Sequence, residues 1–369
     1  MIIIDRKPID FKPIRRFSYL KYIVSVLSKK SLSPIELRDS ILEWAYTTKE
    51  DYLNYIDSTQ FLRNPTVARS YISIAAKLDL IVQGGRKLGL TRQGRLLDLL
   101  QEDPINVYSI KGKELMFFTY LLFEKDTDLI LLALESFIGN PTGSQIKLMK
   151  DYFTNNYLAK LDLKLNINDS NKVRTNLRKI QHHVEKFGIQ EQHIIPRIHL
   201  LIDLNFLKKE YGKKGIYRTT DIGSQVINRL PILSCLETGA SRDFVDIDNN
   251  WLEESMFKTI APLVSSDTMF YEREYTNWDN RSNHIKFDIL CDLLPKMFDH
   301  FRISKSIQKV WLNTSWLYFC IRSTIDHYTP IDYDDFCSAM KQCPIIDNYK
   351  YEIRKNETIN ESYLLRNYL

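Results

Sequence analysis

Apolar side chains recur every three or four residues across 17–29, where Tyr19, Leu20, Ile23, Val24 and Leu27 fall on one face. This is the spacing of an amphipathic helix. Ser33-Pro34-Ile35-Glu36 predicts a second helix, with serine as N-cap and proline at the first helical position, where no N–H is needed. A polar and aromatic insert, 44–61, follows, and Asn64-Pro65 then repeats the same kind of start. In the helix beyond it Val67, Ala68, Tyr71, Ile72, Ala75 and Leu78 form the apolar side, with Thr66, Arg69, Ser70, Ser73 and Lys77 opposite. Two β-prone runs, 80–83 and 88–91, flank Gly84-Gly85-Arg86-Lys87. The two glycines supply the positive φ of a tight turn, so a hairpin with a basic tip is expected. A helix restarts at Thr91-Arg92-Gln93-Gly94, with Thr91 as N-cap.

The same order returns further along. Ile198, Leu201, Ile202 and Leu204 give a helical face, and Pro196 suits a helix beginning there with Arg197 at its N-terminal end. The runs 206–211 and 216–219 bracket Gly212-Lys213-Lys214-Gly215, and Thr220-Asp221-Ile222-Gly223 repeats the Thr-x-x-Gly start. The helices align at an offset of 126 residues (Ile74 on Leu200) and the Thr-x-x-Gly motifs at 129 (Thr91 on Thr220). The second hairpin is thus three residues longer, an insertion that a surface turn tolerates. Two matches to one pattern point to an internal repeat.

Helix, basic hairpin, then Thr-x-x-Gly resembles the second half of a winged-helix (winged helix-turn-helix) domain over about residues 17–100. The resemblance implies a helix in the DNA major groove and a hairpin, the wing, along the phosphates. Upstream of the second unit, 171–187 is a strongly amphipathic basic helix ended by Gly188, which leaves little room for a complete second helix. Between the units 115–138 is strongly apolar but interrupted by Glu124, Lys125, Asp126 and Asp128, which fits two packed helices better than a membrane span. The expected class is mainly α with small β-hairpins: a first winged helix (1–112), a helical spacer (113–170), a second winged-helix-like unit (171–232) and an acidic, mostly helical C-terminal module (233–369). In the last part, helices at 284–301, 305–328 and 333–343 and a hairpin after 349 permit a third, degenerate winged helix.

Charge sharpens this division. Residues 1–112 hold 18 Lys and Arg against 12 Asp and Glu, a net +6, and residues 171–230 hold 12 against 5, a net +7. Residues 113–170 hold 6 against 8 and residues 231–369 hold 15 against 21, so these segments are acidic. The five cysteines (235, 291, 320, 337 and 343) form no CxxC pair, which suggests reduced thiols in a cytoplasm and neither a zinc site nor a disulfide frame. The start of the chain lacks the long apolar stretch of a secretory signal.

The expected contacts to double-stranded DNA are therefore Thr66, Arg69, Ser70, Ser73 and Lys77 on the first helix, and His193 and Arg197 on the second. Arg86, Lys87, Lys213 and Lys214 at the hairpin tips, with Arg92, Lys208 and Arg218 beside them, are expected on phosphates. No GxxxxGK[ST] phosphate loop occurs, so no ATPase is implied, and no catalytic residue, metal or cofactor is assigned. Glu272 and Glu274 with Asp288 are the remaining acids for a hidden nuclease, and Asp332, Asp334 and Asp335 look like a hydrated helix start. The arrangement is similar to the recognition halves of type IIS restriction enzymes and to DNA-recognition subunits of prokaryotic restriction and phage-defence systems. A protein-interaction scaffold or a transcriptional regulator remains the alternative. In either case 233–369, rich in tryptophan and tyrosine, is expected to dock a protein partner.

Overall fold

Three successive stretches of the chain each pair a short early segment with the last strand of a later hairpin. The computed structural model describes residues 11–12, 14–49, 61–101, 107–137, 144–167, 170–210, 215–230, 252, 256–260, 263, 278–302, 308–325, 331–342, 345–346, 348–356 and 361–368. The described chain is mainly helical, with short antiparallel strand pairs.

In the first stretch α1 (Ser18–Lys29) buries the expected stripe of Tyr19, Leu20, Ile23, Val24 and Leu27. Helix α2 (Pro34–Thr47) opens on a capping box: the Glu36 N–H donates to the Ser33 hydroxyl at 3.3 Å and the Ser33 N–H to the Glu36 carboxylate at 2.7 Å. Helix α3 (Pro65–Lys77), strands β1 (Ile81–Gly84) and β2 (Lys87–Leu90), and helix α4 (Arg92–Leu100) complete it. Between α1 and α2, Leu32 accepts a backbone hydrogen bond from Leu88 at 2.7 Å, an antiparallel bridge to the second hairpin strand. The order across this small sheet is Leu32, β2, β1.

The second stretch repeats that order from unexpected material. Helix α5 (Gly112–Glu135) is kinked at Asp126 (φ −140°, ψ 32°). Strand β3 (Ser144–Gln145), helices α6 (Ile146–Ile167), α7 (Asn171–Phe187) and α8 (Glu191–Asp203), strands β4 (Leu207–Lys209) and β5 (Ile216–Thr219), and helix α9 (Asp221–Arg229) follow. The sheet runs β3–β5–β4. Residues 113–170, expected as a spacer, thus supply a strand to the second hairpin. Pro196 is also interior: α8 starts at Glu191, so Arg197 lies in its second turn.

In the third stretch a short helix α10 (Met256–Thr259) and a 3₁₀ turn (Trp278–Asn280) precede α11 (Asn283–Phe301), β6 (Lys309–Trp311), α12 (Leu312–Ile325) and α13 (Tyr333–Gln342). Strands β7 (Ile345–Ile346), β8 (Tyr349–Asn356) and β9 (Glu361–Tyr368) close it, in the order β6–β9–β8–β7. Each time a short strand after the first helix pairs with the last strand of the hairpin.

The repeated Thr-x-x-Gly has one physical reason in both places. After α3, Asp79 takes a left-handed conformation (φ 59°), which Asp and Asn tolerate, and the Leu80 N–H returns to the Ala75 carbonyl at 2.8 Å. After α8, Asn205 (φ 59°) and the Phe206 N–H to Leu201 at 2.9 Å do the same. The Thr91 hydroxyl donates to the Asp79 carbonyl and accepts from the Gly94 N–H at 3.1 Å. The Thr220 hydroxyl donates to the Asn205 carbonyl at 2.6 Å and accepts from Gly223 at 2.9 Å. Each glycine lies directly on the backbone before the hairpin: a Cβ on Gly94 would stand 2.0 Å from the Leu80 oxygen, and one on Gly223 1.9 Å from the Phe206 oxygen.

One continuous apolar core, from Phe11 to Leu364, joins the stretches. Phe17 stacks on Phe118 of α5 with centroids 4.3 Å apart, and the buried Lys21 and Glu114 pair at 2.7 Å. The segment before α1 crosses to α8: Arg16 pairs with Asp203 at 3.0 Å and the Phe17 N–H donates to the same carboxylate at 2.7 Å. Burial pushes the Asp203 carboxyl above its ordinary value, against the opposing pull of Arg16 and the Phe17 N–H.

Candidate nucleic-acid interface

Helix α3 starts where its sequence dictates. The Asn64 side chain accepts the Thr66 N–H at 2.8 Å, and Pro65 occupies the first turn without leaving a donor unmet. The helix buries Ala68, Tyr71, Ile74 and Ala75 and leaves Thr66, Arg69, Ser73 and Lys77 exposed. Ser70 is half-buried, its hydroxyl donating to the Thr66 carbonyl at 3.1 Å. The inner side is fixed by Tyr71, whose hydroxyl accepts the backbone N–H groups of Arg15 and Arg16 at 3.1 and 3.2 Å. Burial raises the Tyr71 phenol well above its ordinary value, so it stays neutral.

The first hairpin turns through Gly85 and Arg86, with Gly84 paired to Lys87. Only Gly85 takes a positive φ (63°), at the first central position, where a two-residue hairpin turn of this kind requires glycine; the expectation that Gly84 shares that role is corrected. Arg86 and Lys87 are exposed at the tip, and Val82 beside them is 54% exposed. Among the described residues Arg69, Lys77 and Arg86 have no hydrogen-bond or salt-bridge partner. The first stretch therefore presents four cations, with Thr66 and Ser73, on one helix face and the adjoining hairpin.

The corresponding face of the second stretch is used up inside the molecule. Arg197, expected on DNA, is fully buried and forks onto Asp126, Nε to Oδ2 at 2.6 Å and Nη2 to Oδ1 at 2.8 Å. Its third nitrogen donates to the His193 carbonyl, and the Phe11 ring lies 5.1 Å from the guanidinium carbon. The kink of α5 at Asp126 and the crossing N-terminal segment thus enclose the side chain. His193 is half-buried on the same helix, and Lys12 donates to Gln192 at 2.6 Å. Arg218 is held by Glu210 across the hairpin at 2.5 Å, while Lys208 is exposed on β4. Lys213 and Lys214 lie outside the described residues.

Arg92 is also engaged rather than free. It pairs with Glu361 of β9 at 2.7 Å and stacks over the Trp311 ring at 4.6 Å, so the third stretch is seated on the start of α4. There α13 opens on Asp334 and Asp335, both exposed, and Asp332 caps it by accepting the Asp335 N–H at 2.8 Å. The three acids thus lie at a helix start, where Asp332 also pairs with Lys258 at 3.1 Å. Glu272 and Glu274 lie outside the described residues, and Asp288 pairs with His284 at 2.9 Å. Among the described residues no group of three His, Cys, Asp or Glu could hold a metal ion, and no helix is long and apolar enough to cross a membrane.

No protein-family model, curated protein or solved structure matches this chain. The residue that sequence reasoning missed is Asp126, the acid that removes Arg197 from the surface. Its signal was present: an acid in a strongly apolar segment is kept only where a cation meets it.

Proposed function

We propose that the chain binds double-stranded DNA through α3 and the β1–β2 hairpin, the helix lying in the major groove and the hairpin along the phosphates in the manner of a winged helix. One observation carries this. Among the described residues α3 combines an exposed basic face with a basic hairpin tip, whereas α8 is enclosed by the chain itself and α13 opens on acids. The repeated pairing of an early short strand with the last hairpin strand supports a tandem winged-helix arrangement, with the third stretch included. Arg69, near the N-terminal end of α3, is positioned to fork onto a guanine edge, and Lys77, Arg86 and Lys87 to meet phosphates. The acidic residues 233–369 repel phosphate and form the protein-facing side. The chain then serves as the recognition or adaptor part of a larger DNA-processing assembly, of the restriction or phage-defence kind.

A protein-interaction scaffold is the second reading, favoured by one observation: α8 already spends its face on a segment of protein. The two are separated by titrating the full chain with duplex DNA at several salt concentrations. Arg86→Ala with Lys87→Ala should weaken all duplexes alike and reduce the slope of log K against log salt by about two. Arg69→Ala should cost about 1–3 kcal/mol on a preferred sequence and far less on random DNA. A flat salt dependence of the unmodified chain would sink the DNA reading and leave the scaffold.

A further inference from the structure

Helix α7 is the basic element that the α3 site leaves unexplained. Its apolar side, Leu177, Ile180 and Val184, is buried, and the helix packs against α6. Gln181 donates to Asp162 of α6 at 2.6 Å, and the Ile189 N–H just beyond α7 donates to Thr154 of α6 at 2.9 Å. The other side exposes Lys172, Arg178, Lys179, His182, His183 and Lys186. Across 171–187 there are five Lys and Arg against one Glu. A helix face that is merely solvated gains from acids placed four residues from its bases. Here the positions four residues from Arg178 are Arg174 and His182, those from Lys179 are Thr175 and His183, and Lys186 follows His182 at the same spacing. Among the described residues Lys172, Arg178, Lys179 and His182 have no hydrogen-bond or salt-bridge partner.

We propose that this face of α7 is a second, sequence-independent DNA-binding surface, which grips the phosphate backbone while α3 reads bases. The inference rests on the reading of the chain as a DNA-binding protein. Its charge complements phosphate along the whole element: 17 residues of helix span roughly 25 Å, about seven phosphates of one strand. A basic amphipathic helix can also lie on an anionic membrane, but it does so by inserting its apolar side. In α7 Leu177, Ile180 and Val184 are already occupied by the protein, which leaves Phe187 at the last position as its one exposed large apolar side chain, too little to insert. His182 and His183 continue the exposed polar row.

The test uses the full chain with Lys172→Ala, Arg178→Ala, Lys179→Ala and Lys186→Ala combined, beside a second variant carrying Arg69→Ala, Arg86→Ala and Lys87→Ala. A glutamine series at the same four α7 positions repeats the measurement, and thermal melts check the fold. Binding to duplexes of about 30 base pairs is followed by anisotropy from 50 to 200 mM salt. Four lost phosphate contacts should reduce the slope by three to four, so that the affinity of the α7 variant falls roughly 100-fold less over this range than that of the unmodified chain. Its preference among sequences should persist. An unchanged slope and affinity would overturn the proposal. So would loss of binding to vesicles of about 30% phosphatidylserine with DNA binding intact. If the α7 variant loses DNA while the α3 variant keeps it, the α7 surface stands and the α3 reading falls; the reverse pattern keeps α3 and rejects α7.

Discussion

Replacing Arg197 by methionine should lower the unfolding free energy by about 3–5 kcal/mol. The guanidinium is fully buried and satisfies both oxygens of Asp126. Without it a carboxylate stays behind in an apolar core, with its desolvation cost unmet. Two further results separate this from ordinary loss of packing. The deficit should shrink as pH falls, because protonating the stranded carboxyl removes its charge; the folded state then binds a proton more tightly than the unfolded one, which stabilises on the acid side. Adding Asp126→Leu should recover most of the loss, since an apolar pair of similar volume can replace a buried ion pair at little cost. Urea unfolding of the three proteins reads all of this. A loss below about 1 kcal/mol, or a loss of DNA affinity at unchanged stability, would return Arg197 to the surface role expected of it.

Gly94→Ala and Gly223→Ala should each cost about 3 kcal/mol. In both cases the added methyl meets a backbone carbonyl at about half the ordinary contact distance, and that carbonyl is held by the N–H of the capping threonine, Leu80 by Thr91 at 3.1 Å and Phe206 by Thr220 at 3.0 Å. Neither the helix nor the strand can give way without breaking the other's hydrogen bonds. Gly89→Ala is the control. A methyl added there meets nothing within 4 Å, and its φ is not positive, so alanine should be neutral or stabilising by up to about 1 kcal/mol. Thermal melts of the three variants would refute the argument if Gly94→Ala behaved like Gly89→Ala.

What was legible in the chain was local. The caps at Ser33, Asn64, Thr91 and Thr220, the Gly85 turn and the stripe of α1 are each set by residues within a few positions of one another. The strands that complete the sheets were not legible. Leu32 pairs by a single bridge and β3 has two residues, too few to show a period of two. The candidate face of α3 was legible because an amphipathic helix declares its outer side. The face of α8 was misread because its covering comes from remote sequence: Asp126 lies 71 residues before Arg197, and Phe11 still further away. The same holds for Arg92, whose partner Glu361 is 269 residues on. Single-sequence periodicity tells which side of a helix is polar, and says nothing about whether the protein itself will cover that side.

The crossing of the N-terminal segment onto α8 also sets an order in time. The Phe17 N–H donates to Asp203, 186 residues later in the chain. During synthesis at about 5–20 residues per second, that carboxylate is made roughly 10–40 s after the amide that needs it. Through that interval the first helices can form and pack, and the strap ahead of α1 can reach Tyr71 of α3 but not its second anchor on α8. A nascent chain stalled before residue 203 should therefore hold residues 14–17 on the α3 side alone, and more loosely than the finished protein does.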